Sequence, residues 1–61
     1  MANPWIVVQT DDQNRVRTML LVSGEFGMTN DPDEIEQFET ERAALTMAAI
    51  SPGSTAVELR E

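Results

Sequence analysis

The chain has 61 residues, with eleven acidic residues against four basic ones, a formal net charge of −7, and no cysteine, histidine or lysine. Without cysteine and histidine it lacks disulfides, the commonest metal ligands and the commonest nucleophile–base pairs of enzymes. Without lysine it cannot form a Schiff base. We therefore expect a non-enzymatic protein with no cofactor, and its acidity disfavours direct binding to nucleic acid or to an anionic membrane.

Length and termini predict a small independent protein. One domain over residues 1–61 is expected, and a chain of this size buries only about 60% of its unfolded surface. The N-terminus lacks the basic region and apolar core of a signal peptide, and no apolar run approaches a membrane span. Because the chain starts with Met1 and ends on a strand-like run, we expect a complete cytoplasmic protein. Because small domains with thin cores often gain stability by oligomerisation, we also consider a homodimer.

Two strands are predicted at the start of the chain. Residues 4–10 are rich in Trp, Ile and Val, and residues 15–23 form a second apolar run. The polar cluster at residues 11–14 predicts a short turn between them, and hence an antiparallel pair. Trp5 is expected to anchor the core.

Alternation along these strands assigns their faces. In the first strand, Ile6 and Val8 share one face, while Val7 lies on the other. In the second strand, the consecutive Met19, Leu20 and Leu21 make both faces partly apolar. This pattern favours a central strand, or a further contact on the back of the sheet, and it supports the homodimer.

Residues 24–38 are less clearly patterned. The two glycines around Phe26 predict a bend or bulge that ends the second strand. Asp31, Pro32 and Glu34 fit the cap, first position and capping box of a helix start. The alternative, which we favour, is an irregular loop or short strand with Phe38 anchored in the core.

A helix is predicted over residues 41–50, which contain neither Gly nor Pro. Thr40 is a suitable N-cap, and Glu41 lies at the positive end of the helix dipole. Pro52 and Gly53 end the helix in a turn. We expect one of two pairs of residues to face the sheet, namely Leu45 with Ala49 or Met47 with Ile50.

Residues 55–60 predict a final strand, with Val57 and Leu59 facing inward and Ala56, Glu58 and Arg60 facing outward. The expected fold class is α+β, with the order β-β-α-β. One helix would cover a small antiparallel or mixed sheet in a two-layer arrangement.

The strongest functional signal is the acidic segment, residues 31–41, which contains no basic residue and ends just before Arg42. As a calcium loop it fails, because Ile35 occupies the fifth position and Glu36 replaces the required glycine. We therefore expect no metal site. A solvated loop is one interpretation. The other is a surface that binds a basic partner through six carboxylates: Asp31, Asp33, Glu34, Glu36, Glu39 and Glu41.

The spacing of these charges limits what the segment could imitate. Phosphates lie about 3.4 Å apart along one strand of a DNA duplex. The six carboxylates would be spaced about 3 Å apart in a helix and about 6 Å apart in an extended chain. Imitation of a nucleic-acid strand therefore needs the helical form, whereas an acidic plug for a basic groove does not.

Three stretches of the chain resemble a known family. They are Trp5-Ile6-Val7-Val8, Thr40 with Ala43-Ala44-Leu45, and Ala56-Val57-Glu58-Leu59-Arg60. In size, acidity and order of elements, the chain resembles small acidic phage-encoded inhibitors of host nucleic-acid machinery, such as the T7 phage inhibitor of bacterial RNA polymerase. The resemblance implies a class of function, and no individual functional residue is carried over from it.

These observations lead to two hypotheses. The first is a phage-encoded binding protein in the host cytoplasm that inhibits or modulates a nucleic-acid-handling complex. Its partner would be a basic surface of a host protein complex, without direct binding to nucleic acid or membrane. The alternative is a structural or self-associating accessory domain whose acidity serves solubility.

Overall fold

The computed structural model describes residues 3–59. Its four strands are β1 (Trp5–Thr10), β2 (Val16–Leu20), β3 (Phe26–Gly27) and β4 (Ser54–Glu58). They form one antiparallel sheet in the order β3-β2-β1-β4. A short 3-10 helix (Pro32–Glu34) and the α-helix α1 (Glu41–Ala48) lie between β3 and β4 in the chain. The α+β class and the antiparallel sheet agree with the prediction.

The predicted order of elements is wrong, because a third strand and the 3-10 helix precede α1. Strand β2 ends at Leu20, and a tight turn follows in which Gly24 adopts a φ of 91°. The N–H of Leu21 donates to the carbonyl of Glu25, so Phe26 returns beside Leu20. Gly24 does produce the predicted bend, which is sharp enough to start a new strand, whereas Gly27 lies within β3.

Strand β1 is the centre of the fold, because it pairs with both β2 and β4. Both of its faces are buried, with Val7 and Val8 only 0% and 1% exposed. Val7 packs beneath α1, whereas Ile6 and Val8 pack on the opposite face against Ile35. The predicted faces of this strand are confirmed, and so is the core contact of half-buried Trp5.

The start of α1 is as predicted. The hydroxyl oxygen of Thr40 accepts a hydrogen bond from the N–H of Ala43 at 3.2 Å, which satisfies a donor of the first turn. The helix ends at Ala48, and Gly53 then adopts a φ of 85° in the turn to β4. It is therefore two residues shorter than predicted at its C-terminal end.

The predicted packing face of α1 is wrong. The buried residues are Ala44 and Ala48, whereas Leu45 and Ile50 are 46% and 71% exposed. Residues four apart lie on one helix face, and two alanines let the helix backbone lie close to β1 and β4. Truncating Leu45 should therefore cost well below the ~2–5 kcal/mol expected for a buried leucine.

Strand β4 also differs in one detail. Val57 and Leu59 pack against the core on the Ile6 face, as predicted. Ala56, which was expected to face outward, lies opposite Val7 beneath α1 instead. The reason is that the sheet has apolar contacts on both faces. The predicted outward position of Arg60 lies outside the described residues.

The small side chain of Ala44 is expected to be essential for this packing. Ala44→Leu should destabilise the protein by about 1–3 kcal/mol, because the site is fully buried and the added atoms would force the helix away from the sheet. Ala43→Leu is the matched control, since Ala43 is exposed, and it should change stability by less than about 0.5 kcal/mol. Urea unfolding of both variants measures the difference, and equal effects would show that this helix face is not in contact with the sheet.

Candidate functional site

The acidic segment begins with a locally stabilised turn. The side chain of Asp31 accepts a hydrogen bond from the N–H of Asp33 at 2.9 Å, so it caps the 3-10 helix. The Thr29 hydroxyl donates to the Glu34 carboxylate at 2.7 Å and accepts from the N–H of Asp31 at 3.1 Å. The predicted helix-start signal is therefore real, but it produces only three residues of 3-10 helix before the chain becomes extended.

The next residues attach to β2. The carbonyl of Glu34 accepts a hydrogen bond from the N–H of Val22 at 2.9 Å, and the N–H of Glu36 donates to the carbonyl of Leu20 at 3.0 Å. Between these two bonds, Ile35 is only 7% exposed and packs on the Ile6 face of the sheet. An apolar side chain and two backbone bonds thus hold the middle of the segment in place.

The segment then attaches to β1. Trp5 and Phe38 exchange two backbone hydrogen bonds, at 2.8 and 2.7 Å. Strands β1 and β2 pair from Val8 and Met19 toward the turn that joins them. Their other ends are separated, and residues 34–38 lie between them. Phe38 packs on the core, as predicted. The middle of the acidic segment, residues 34–38, is therefore fixed at the end of the sheet.

The carboxylates have different surroundings along this segment. Only Glu36 is half-buried, and the rest are exposed: Asp31, Asp33, Glu34, Glu39 and Glu41. Among residues 3–59, no group of three or more acidic side chains is arranged to hold a metal ion.

Among residues 3–59, no Lys or Arg forms an ion pair with the acidic segment. An ion pair joins Arg15 to Asp11 at 3.6 Å, in the turn between β1 and β2. That turn lies at the opposite end of these strands from residues 34–38. Arg42, the nearest basic residue in the sequence, is exposed on α1 and makes no ion pair with the described part of the segment. Like charges therefore repel one another here in the free protein.

The observed backbone also decides the spacing of the charges. With a rise of about 2 Å per residue in the 3-10 helix and about 3.3 Å in the extended part, the six carboxylates are spaced about 5 Å apart along the chain. Phosphates on one DNA strand are closer, at about 3.4 Å. The segment is thus sparser in charge than the nucleic-acid strand that it would have to imitate.

A groove that was not anticipated from the sequence adjoins the acidic segment. It has a volume of about 270 Å³ and mostly apolar walls, formed by Leu20, Leu21, Val22, Gly24, Glu36, Phe38 and Met47. The consecutive apolar residues of the second strand are a signal for it. They predict a central strand or a further contact on the back of the sheet, and β2 does lie between β3 and β1, but they do not predict the groove itself. Phe38 also lines a second, more open depression together with Gln37 and Glu39.

Comparison of the chain with protein-family models, curated proteins and solved structures found no match. Its function is therefore inferred from the charge and geometry of the acidic segment. Within residues 3–59, no helix has the length and apolar character needed to cross a membrane.

Ile35 is expected to hold the acidic segment against the sheet. Ile35→Ala should lower the free energy of unfolding by about 2–5 kcal/mol, because this side chain is 7% exposed. Ile50→Ala is the matched control and should cost less than about 0.5 kcal/mol, because Ile50 is 71% exposed. Chemical denaturation measures both values. Equal costs in free energy would show that the Ile35 side chain is not buried against the sheet.

Proposed function

We propose that this protein is a small, non-enzymatic, phage-encoded inhibitor or modulator of a host nucleic-acid-handling complex, acting in the host cytoplasm. The acidic segment would bind a basic surface of that complex. The observation that carries the proposal is that carboxylates without an ion pair to any described Lys or Arg lie on and beside residues 34–38. Four backbone hydrogen bonds hold these residues in place, two to Trp5 and one each to Leu20 and Val22.

The rigidity of the segment favours this use. A loose loop would lose conformational entropy on binding, whereas a segment already bonded to two strands loses less. The mutual repulsion of its carboxylates would also be relieved by a basic partner, which favours encounter and selects partners by charge.

The class of partner follows from the sign of the charge. Proteins that hold nucleic acid present Lys and Arg to the phosphates, and these surfaces attract acidic proteins over long range. At a spacing of about 5 Å, the carboxylates do not reproduce a nucleic-acid strand. We therefore favour an acidic plug that occupies part of a basic groove.

Two variants with equal net charge separate a specific surface from general acidity. Asp33→Lys combined with Glu39→Gln alters two exposed carboxylates of the segment. The control, Asp12→Lys combined with Gln13→Lys, alters two exposed residues in the turn at the other end of β1. Each double change adds three positive charges and takes the formal net charge from −7 to −4.

Immobilised wild-type protein is used to capture partners from a bacterial lysate at low salt, and mass spectrometry identifies them. We expect one nucleic-acid-handling complex, released as salt rises and screening strengthens. With that complex purified, the segment variant should associate about tenfold or more slowly, since charge mainly steers encounter. The control variant should keep nearly the wild-type association rate.

Two results would overturn the proposal. If the protein captures only itself or nothing, the alternative of a self-associating or solubilising accessory domain replaces it. If both variants lose binding equally while thermal melts show that both are folded, the binding depends on net charge and not on the acidic segment.

A further inference from the structure

One helix cannot cover a four-stranded sheet. Strands lie about 4.8 Å apart, so four of them span roughly 19 Å, whereas a helix with its side chains is about 10–12 Å wide. Helix α1 lies over β1 and β4. The β2 and β3 half of this face is instead covered in part by the half-buried rings of Phe26 and Phe38.

The groove described above lies in this incompletely covered region. Its accessible walls include Val22, which is 59% exposed, and Met47 on α1, which is 39% exposed. Gly24 at its edge has no atom within 4 Å of the place where a Cβ would be. Apolar side chains that remain open to solvent in this way are typical of an interaction site.

The groove has one acidic residue in its wall and two more that are bonded to wall residues, and we call these three its acidic rim. Glu36 lines it directly. Glu25 and Glu34, both exposed, are joined by backbone hydrogen bonds to the wall residues Leu21 and Val22. Among residues 3–59, no Lys or Arg lines the groove. An apolar pocket with an acidic rim is complementary to an apolar side chain that has basic neighbours.

We infer that this groove binds one large apolar side chain of a partner segment in which that side chain is flanked by Arg or Lys. The inference rests on the proposed function and specifies the chemistry of its partner. A cavity of about 150 Å³ is enough for benzene, so about 270 Å³ accommodates a Leu, Met or Phe side chain. Such anchors in desolvated pockets dominate many interfaces.

Charge argues against a second copy of this chain as the occupant. Each copy carries a formal net charge of −7, so a homodimer at this groove would bring two acidic rims together. A basic segment instead gains both the apolar contact and the neutralisation of Glu36 and its neighbours.

Three synthetic peptides test the inference by NMR titration. The first has one phenylalanine between two pairs of arginines, the second has serine in place of phenylalanine, and the third has glutamates in place of arginines. We expect the first to shift the signals of Val22, Glu36 and Met47. The serine and glutamate peptides should each bind about tenfold or more weakly, because each lacks one of the two contributions.

Two valine variants provide a matched pair for the same titration. Val22→Gln places a polar group in the groove wall and should weaken binding of the arginine–phenylalanine peptide about tenfold. Val16→Gln changes another exposed valine, 47% exposed, which does not line the groove, and should leave binding unchanged. Amide spectra of the free variants verify that both are folded.

Several outcomes would overturn the inference. They are absence of binding by the phenylalanine peptide, equal binding of the serine peptide, or equal effects of the two valine variants. A peptide-free dimer that buries Val22 and Met47, detected by sedimentation and NMR, would show that a second copy occupies the groove.

Failure of this inference is distinguishable from failure of the proposed function, because Asp33 and Glu39 do not line the groove. Loss of the host complex by the segment variant, with retention by Val22→Gln, would support the proposed function alone.

Discussion

The arrangement of this protein depends on the insertion of residues 34–38 between the ends of β1 and β2. Backbone polar groups at and beyond the end of a strand need hydrogen-bond partners, since an unpaired group is costly wherever water cannot reach it. Here Leu20, Val22 and Trp5 find them in the inserted segment. The same bonds that complete the sheet therefore fix the position of the acidic segment, so structural and proposed binding roles share one element.

The rest of the fold is built around a thin core. Strand β1 is buried on both faces, and only small residues, Ala44 and Ala48, separate α1 from the sheet. In a chain this short, folding removes little surface from water, so every buried side chain is a large share of the total buried area. A single buried residue such as Ala44 or Ile35 therefore contributes a sizeable fraction of a small domain's stability.

The single helix also explains why a groove exists beside the acidic segment. Covering only two strands leaves apolar residues of β2 and the following turn accessible, next to Glu36. Charge and apolar area then lie side by side. Long-range attraction by the carboxylates would bring a basic partner near, and an apolar anchor would slow its departure.

Several features follow from the sequence alone, because they depend on neighbouring residues. The strand periodicity of residues 4–10 and the Thr40 cap are local signals, and each has its predicted counterpart in the structure. The Asp31 helix start, which is not the favoured interpretation of the sequence, is also local and produces the short 3-10 helix. The content of the acidic segment, six carboxylates without a basic residue among them, is likewise a property of the sequence.

Tertiary structure decided the features that depend on distant contacts. Local propensity cannot show that the chain after Gly24 pairs back onto β2, or that Ile35 inserts beside Ile6. Nor can it select the buried face of a helix that is apolar on most sides. Leu45 and Met47 are the more hydrophobic residues, but Ala44 and Ala48 face the sheet because only small side chains permit so close an approach. The groove depends on this placement of α1, since it lies beside the part of the sheet that the helix does not cover.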